Sequence, residues 1–297
     1  MSRALIAALE KLVASGTDVP ASALTAAQRA TLNEFERKTG AVRTKPQGSG
    51  LVYQIANLPL LQEHLKSLRP HNADDLLDSL PTRAANIAQT RNSKGKGHSH
   101  GHYYLLIKPI GSNVIWHHED GRKLDLSAVS AIAGAGALAI QANDAWYTEQ
   151  PLWLVENQAL FNRLDWLPPE AKGTITYYGG QIHGQLLKWL AARQRTPQMV
   201  FFPDYDGVGL LNYAKLLETA CCPCTFWLIP DWKNLLQKYG NNSVWQNTLS
   251  DFHAALPRLQ AARMNDEVQE LCVSLSTIGL ALEHEVIWLS ELSRSHI

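Results

Sequence analysis

Short apolar runs alternate with helical patterns through the second half of the chain, and this alternation constrains the fold more than any other feature. The apolar runs have the length and the β-branched or aromatic composition of strands; they are residues 152–155, 174–178, 199–202 and 225–229. Helical periodicity separates them, and the chain keeps a helical pattern beyond Pro230. Strands that alternate with helices at this spacing indicate βαβ units, in which the strands run parallel within one sheet. We therefore predict an α/β domain over residues 149–297.

Three carboxylates stand at the ends of two of these predicted strands. Glu156 directly follows residues 152–155, and Asp204 and Asp206 follow residues 199–202. Ligands bind at the carboxyl ends of the strands in such sheets, and residues two apart in an extended segment point to the same side. An Asp-x-Asp-Gly turn, or a Glu after a strand, is by itself usually structural. Their combination on this pattern predicts that the three acids converge.

Converging carboxylates repel one another unless something neutralises them. Clusters of hard oxygen ligands favour Mg²⁺ or Mn²⁺, and such an ion can orient a phosphate, polarise it and activate water. The three acids therefore predict a divalent-metal site that acts on phosphodiesters.

The segment Val155-Glu156-Asn157, followed by Asp204-Tyr205-Asp206-Gly207-Val208-Gly209, resembles the Toprim domain. That family carries a Glu on its first strand and an Asp-x-Asp-x-x-Gly motif on a later one, and the resemblance covers about residues 150–232. It implies a Rossmann-like parallel sheet in which Glu156, Asp204 and Asp206 are catalytic residues that bind the metal. Gly209 is the motif glycine by the same resemblance.

Three segments give a narrower resemblance, to the nuclease component (JetD) of Wadjet-type SMC plasmid-defence systems, a family distantly similar to the catalytic half of topoisomerase VI. They are Leu-Val-Glu-Asn-Gln-Ala-Leu-Phe at 154–161, the pair Gly179-Gly180, and Leu282-Glu283-His284-Glu285. The resemblance implies a Mg²⁺-dependent (or Mn²⁺-dependent) endonuclease that cleaves plasmid DNA extruded by a condensin-like partner. It also implies a DNA-binding region before the Toprim domain.

Two further expectations concern the site. Glu283 or Glu285 would complete a two-metal arrangement, and we favour Glu285; the alternative is a solvated helix face, since helix acids are mostly exposed. Both strands of a duplex must be cut, so we expect a homodimer. Transesterification would need a nucleophilic tyrosine, and the candidates lie in no recognisable motif, so we favour hydrolysis. The candidates are Tyr53, Tyr147, Tyr177, Tyr178 and Tyr205.

Two classes of function remain as alternatives to this nuclease. One is another Toprim enzyme, either a component of a topoisomerase VI-like enzyme or an RNA-processing nuclease. The other is a DNA-binding adaptor without catalysis, whose acids bind metal only structurally.

Residues 1–70 predict a winged-helix-like α+β region. An amphipathic helix opens the chain, and a second helix begins after Thr25, with Gln28 as capping-box partner and Gly40 as its stop. Residues 41–44 and 51–55 then predict a β-hairpin. DNA contact through this unit and docking to another protein are equally open. For DNA, the phosphate contacts would come from Arg29, Arg37, Lys38, Arg43 and Lys45.

Residues 71–148 form a basic middle segment of α+β character. No acid occurs between positions 83 and 118. The Gly-rich loop within it predicts phosphate contacts; the candidates are Arg83, Arg91, Lys94 and Lys96. His98, His100 and His102 suggest a metal site instead, although ligands from a second element are missing, and a plain linker is the third possibility. Residues 103–107 predict a strand, in a hairpin with 114–116.

Composition limits the partners. Lys+Arg and Asp+Glu both total 27, so binding to nucleic acid must depend on local basic patches. The apolar runs are too short to span a bilayer, and the clustering of three of the four cysteines is no disulfide framework. We therefore expect a cytoplasmic protein without a membrane partner.

Overall fold

A computed structural model describes residues 3–48, 50–69, 80–90, 93 and 101–292 of the 297-residue chain. The chain divides into two compact units, Met1–His100 and Gly101–Ile297. Within the described ranges, no helix is both long and apolar enough to cross a membrane.

The first unit combines helices with a small antiparallel sheet. Its helices are α1 (Arg3–Ser15), α2 (Ala26–Thr39), α3 (Leu58–Leu68) and α4 (Thr82–Thr90), and its strands are β1 (Val19–Pro20), β2 (Val42–Gln47) and β3 (Gly50–Ile55). The strands are ordered β1-β3-β2. Aliphatic side chains from α1, α2 and α3 meet in one buried core, which includes Leu9, Leu12, Leu32 and Leu61.

Local signals set the boundaries of α2. Thr25 and Gln28 form the predicted capping box, in which each side chain accepts a backbone N–H of the other residue. Gly40 ends the helix in the left-handed conformation, at φ 66°, as predicted. The hairpin that follows is also confirmed, but its strands extend further into the predicted turn, because Gln47 already pairs with Gly50.

The second unit contains the α/β fold that the alternating pattern predicted. Its strands are β4 (Tyr103–Ile110), β5 (Ile115–His118), β6 (Lys123–Asp125), β7 (Gly136–Ile140), β8 (Trp146–Thr148), β9 (Leu152–Val155), β10 (Gly173–Tyr177), β11 (Met199–Phe202) and β12 (Cys224–Phe226). Its helices are α5 (Leu126–Ala133), α6 (Gln158–Asn162), α7 (Gly184–Ala192), α8 (Gly207–Thr219), α9 (Trp232–Tyr239), α10 (Asn242–Ala261), α11 (Asp266–Ile278) and α12 (Ile287–Leu292).

The main sheet of this unit is mostly parallel. Over the described residues its order is β12-β11-β9-β10-β4-β7, and the first four strands run parallel to one another. β4 and β7 extend it in antiparallel orientation. β9 and β11 are neighbours and are buried along their whole length, as expected for strands covered on both faces.

The predicted hairpin between residues 103–107 and 114–116 is wrong. β4 pairs with β10 and β7, whereas β5 pairs with β6 and β8 in a separate antiparallel sheet. Gly111 and Asn113 both adopt positive φ, at 84° and 59°, and redirect the chain between β4 and β5. Leu105 and Ile107 gain more burial as part of the large sheet than a two-stranded ribbon could give them.

Candidate metal centre

Glu156 and Asp204 meet at the carboxyl end of two neighbouring strands. β9 and β11 are paired in register, with Val155 opposite Phe202, so Glu156 and Pro203 begin the two chain segments that leave the sheet at the same edge. The backbone N–H of Asp204 donates a hydrogen bond of 3.0 Å to Oε2 of Glu156. The structure thus brings together two of the three acids that the sequence pattern singled out.

Asp206 has a different local role. Its Oδ1 accepts the backbone N–H of Gly209 at 2.8 Å, which makes Asp206 the N-cap of α8. Burial raises its pKa to about 6, against the backbone N–H groups of Gly209 and Val208, and the charges of Asp251 and Glu283 raise it further. Asp206 is near enough for its charge to raise the pKa of Glu156, but its carboxylate is not part of the tightest cluster.

That tightest cluster has a member that sequence reasoning missed, His284. One ligand atom each from Glu156, Asp204 and His284 lie within 4.8 Å of one another. The His284 backbone N–H donates to Oδ1 of Asp204 at 2.8 Å, and its ring Nδ1 lies 3.0 Å from the same oxygen. The ring is fully buried and packs on Phe202, with 5.1 Å between the ring centroids.

A tertiary bridge carries His284 to the site. Tyr205 and Leu282 exchange two backbone hydrogen bonds, of 2.8 and 3.0 Å, as an isolated antiparallel pair. The short 3₁₀ turn His284–Val286 follows closely. Residues 282–285 stand out in the sequence for their acids, and the histidine between those acids was the signal that could have revealed the third member.

Of the two acids in that segment, Glu285 is the one at the cluster. The Asn157 side-chain amide donates to its Oε1, and its Oε2 lies 3.9 Å from Nε2 of His284. Asn157 also caps α6 through its Oδ1, so one side chain fixes both the start of that helix and the position of Glu285. Glu283 is exposed, and its charge acts on Asp206 instead.

Burial makes charge costly in this cluster. It raises the pKa of Glu156 to about 7 and, together with the charge of Glu156, that of Asp204 to about 8. Tyr178 donates a hydrogen bond of 3.1 Å to Oε2 of Glu156, which partly offsets this rise. Burial lowers the pKa of His284 to about 4, against smaller opposing effects of Glu285 and the Pro203 carbonyl, so the imidazole is neutral at pH 7.

These donors fit a divalent cation. Carboxylates that resist ionisation without a counter-charge, beside a neutral imidazole, match the chemistry of a cation site. The residues able to hold such an ion are Glu156, Asp204, His284 and, at the edge of the cluster, Glu285.

Two glycines allow this close approach of backbone segments. A Cβ on Gly209 would lie 2.1 Å from the Asp204 carbonyl oxygen, and one on Gly207 would lie 1.9 Å from the Thr248 carbonyl oxygen in α10. The glycine of the Asp-x-Asp-x-x-Gly pattern is therefore required by packing: only an absent side chain lets α8 start directly behind Asp204.

The tyrosine nearest the acids is not available as a nucleophile. Tyr178 is buried and its hydroxyl is bonded to Glu156. Tyr205 is also buried, and its hydroxyl accepts the Ile229 N–H at 2.7 Å.

The predicted DNA-binding residues lie in the first unit. Arg43 and Lys45 are exposed and project from the same side of β2, two residues apart. Arg83 is exposed in the first turn of α4. Arg91, Lys94 and Lys96 lie outside the described residues, as do His98 and His100.

No protein-family model matches this chain, and no curated protein resembles it at a significant level.

Proposed function

We propose that the second unit is a Toprim-type catalytic domain and that the protein is a Mg²⁺-dependent or Mn²⁺-dependent endonuclease that hydrolyses DNA. The observation that carries this proposal is the meeting of Glu156 and Asp204, hydrogen-bonded across the ends of two adjacent parallel strands. Ligand sites of open α/β sheets lie at this edge. Buried acids with strongly raised pKa values are, in addition, typical of functional sites.

In this proposal Glu156 and Asp204 are the central ligands, Glu285 supports them and Asp206 acts from the start of α8. A divalent ion held there supplies a Lewis acid that polarises a phosphate and lowers the pKa of a water molecule. Tyr178 keeps Glu156 oriented and favours its ionised form through the 3.1 Å hydrogen bond. Asn157 orients Glu285 in the same way.

Hydrolysis is the reaction we favour over formation of a protein–DNA ester. A transesterifying enzyme needs a tyrosine hydroxyl that can reach the scissile phosphate. Tyr178 and Tyr205 are buried and their hydroxyls are engaged, which supports water as the attacking group.

Double-stranded DNA is the proposed substrate. Arg43 and Lys45 form an exposed basic pair on β2 that suits phosphate contacts, and Arg83 adds a further exposed charge. Near-zero net charge means that such local pairs must provide the attraction. By the resemblance to Wadjet-type nucleases, we further propose a winged-helix-like first unit, a homodimer that cuts both strands, and delivery of plasmid DNA by an SMC-type partner.

The test is a panel of nucleic acids offered to the full chain after removal of metal. Supercoiled plasmid, single-stranded DNA and structured RNA are each incubated with Mg²⁺ or Mn²⁺, alongside Glu156→Ala and the control Glu149→Ala, an exposed acid just before β9. Metal-dependent nicking or linearisation that only Glu156→Ala loses supports the proposal. A covalent protein–DNA adduct would indicate a topoisomerase VI-like enzyme, cleavage of RNA alone an RNA-processing nuclease, and DNA binding without cleavage an adaptor.

A further inference from the structure

We propose that His284 is a nitrogen ligand of the metal centre, so that the site holds a mixed imidazole and carboxylate set and binds Mn²⁺ or a similar first-row transition ion more tightly than Mg²⁺. The inference rests on the proposed function only in that it places a divalent ion at the acids. It goes beyond that proposal because it identifies a further ligand and the class of metal.

The position of the ring is the first argument. The side chain of His284 has no exposed surface, and a ring nitrogen lies within 4.8 Å of carboxylate oxygens of both Glu156 and Asp204. The backbone N–H of His284 is bonded to Asp204, and the nearby Leu282 is bonded to Tyr205. The ring is thus held from two sides against the acids.

The second argument is that the ring nitrogens are left without hydrogen bonds. Within the described part of the chain, neither Nδ1 nor Nε2 completes one. Oδ1 of Asp204 is 3.0 Å from Nδ1 and Oε2 of Glu285 is 3.9 Å from Nε2, and the Pro203 carbonyl is also near, but none of the three contacts has the geometry that a hydrogen bond needs. Buried polar groups are rarely left unpaired, and each exception calls for an explanation.

A shared cation explains both observations together. Ligand atoms bonded at about 2.1 Å to one compact ion, at right angles, lie roughly 3 Å apart, and they approach without a hydrogen bond between them. The 3.0 Å separation of Nδ1 and Oδ1 is of this size. A neutral imidazole offers the lone pair that such an ion would take.

The ligand type sets the metal preference. Mg²⁺ prefers oxygen ligands and keeps much of its water, whereas imidazole nitrogen suits the first-row transition ions. Replacing one oxygen with His284 therefore shifts the balance toward Mn²⁺ and its neighbours, while the carboxylates still allow Mg²⁺ to bind more weakly.

The test detects the nitrogen directly. The full metal-free chain is loaded with one equivalent of Mn²⁺, and electron spin echo modulation is recorded for protein at natural abundance and for protein whose histidines alone carry ¹⁵N. We expect a ¹⁴N coupling that the label replaces with a ¹⁵N coupling. His284→Gln and Asp204→Asn should abolish it, and His253→Gln, an exposed histidine on α10, should keep it.

Binding isotherms give the second readout. We expect the Kd for Mn²⁺ to rise by about tenfold or more in His284→Gln, with a smaller rise for Mg²⁺. Absence of histidine coupling in the wild type, its persistence in Asp204→Asn, or equal loss of both metals in a folded His284→Gln would overturn the inference. If the coupling is absent while Glu156→Ala still abolishes cleavage, the nuclease proposal stands and only the ligand assignment fails; a coupling without any cleavage has the opposite meaning.

Discussion

The backbone N–H of Asp204 donates a 3.0 Å hydrogen bond to the carboxylate of Glu156, which ties together the chain segments that leave β9 and β11. The two acids are held at short range even though burial and mutual repulsion raise the pKa of each. The protein therefore holds an unfavourable charge arrangement that protons or a cation can relieve.

One consequence is that the metal-free protein should lose stability as pH rises from about 6.5 to 8.5. Glu156 and Asp204 have folded-state pKa values of about 7 and about 8, above those of the unfolded chain, so they contribute stability at low pH and lose it as they ionise. His284 has the opposite sign, because its folded pKa of about 4 is below the unfolded value, but its effect is complete near pH 6.5.

The slope in this window should be on the order of 1 kcal/mol per pH unit, measured by urea unfolding. All nine tryptophans belong to the second unit, so their fluorescence reports on the unit that holds the site. Asp204→Asn should flatten the slope and raise stability at pH 8, and so should saturating Mn²⁺ in the wild type. An unchanged slope in the variant would argue against the charge cluster.

Removal of the Tyr178 hydroxyl should shift the pH dependence of cleavage. In Tyr178→Phe the Glu156 carboxylate loses a donor that stabilises its ionised form, so its pKa rises further. We expect the rising limb of the activity profile to move to higher pH by roughly one unit or less.

Tyr213→Phe is the matched control for this effect, since Tyr213 is also buried but donates to the Cys224 carbonyl, away from the acids. Equal shifts in the two variants would assign the change to packing. A complete loss of activity in Tyr178→Phe alone would instead assign the hydroxyl a direct catalytic role.

Gly209→Ala should destabilise the second unit and disturb Asp204. The new Cβ would lie 2.1 Å from the Asp204 carbonyl oxygen and 2.9 Å from Cβ of Pro203, so backbone must move. We expect the free energy of unfolding to fall by about 3 kcal/mol.

Gly184→Ala provides the comparison, because Gly184 opens α7 with free space around the position of a Cβ. Its stability should stay the same or rise by up to about 1 kcal/mol. If both variants have wild-type stability, the packing argument for the motif glycine is wrong.

Arg43→Ala with Lys45→Ala should weaken DNA binding in a salt-dependent way. Each lost phosphate contact reduces the slope of log affinity against log salt by about one, so the double variant should lose about two. The control is Lys172→Ala with Lys238→Ala, two exposed lysines of the second unit. Equal slopes for the two double variants would direct attention to another surface or to protein docking.

Local patterns in the sequence predicted a large part of the fold. The four apolar runs became β9 to β12, and the capping box at Thr25 is present, because periodicity and caps act within a few residues. The acids at the strand ends followed from the parallel arrangement of β9 and β11.

Long-range pairing was not predictable in the same way. β4 joins β10 and β7 rather than β5, a choice made by burial in the large sheet. His284 reaches the acids only through the bridge between Tyr205 and Leu282, with α8 to α11 in between. Asp206 was predicted to converge with Asp204, but the N–H groups at the start of α8 hold its carboxylate.

The decisive experiment for the nuclease proposal is nicking of supercoiled plasmid by the metal-free chain, with Mg²⁺ or Mn²⁺ added back. Wild type, Glu156→Gln and the control Glu149→Gln are compared at equal concentration, with an excess of chelator as the blank. We predict cutting by wild type and Glu149→Gln only when metal is present, and none by Glu156→Gln. Cutting by Glu156→Gln at the wild-type rate, or cutting that persists in chelator, would contradict the proposal.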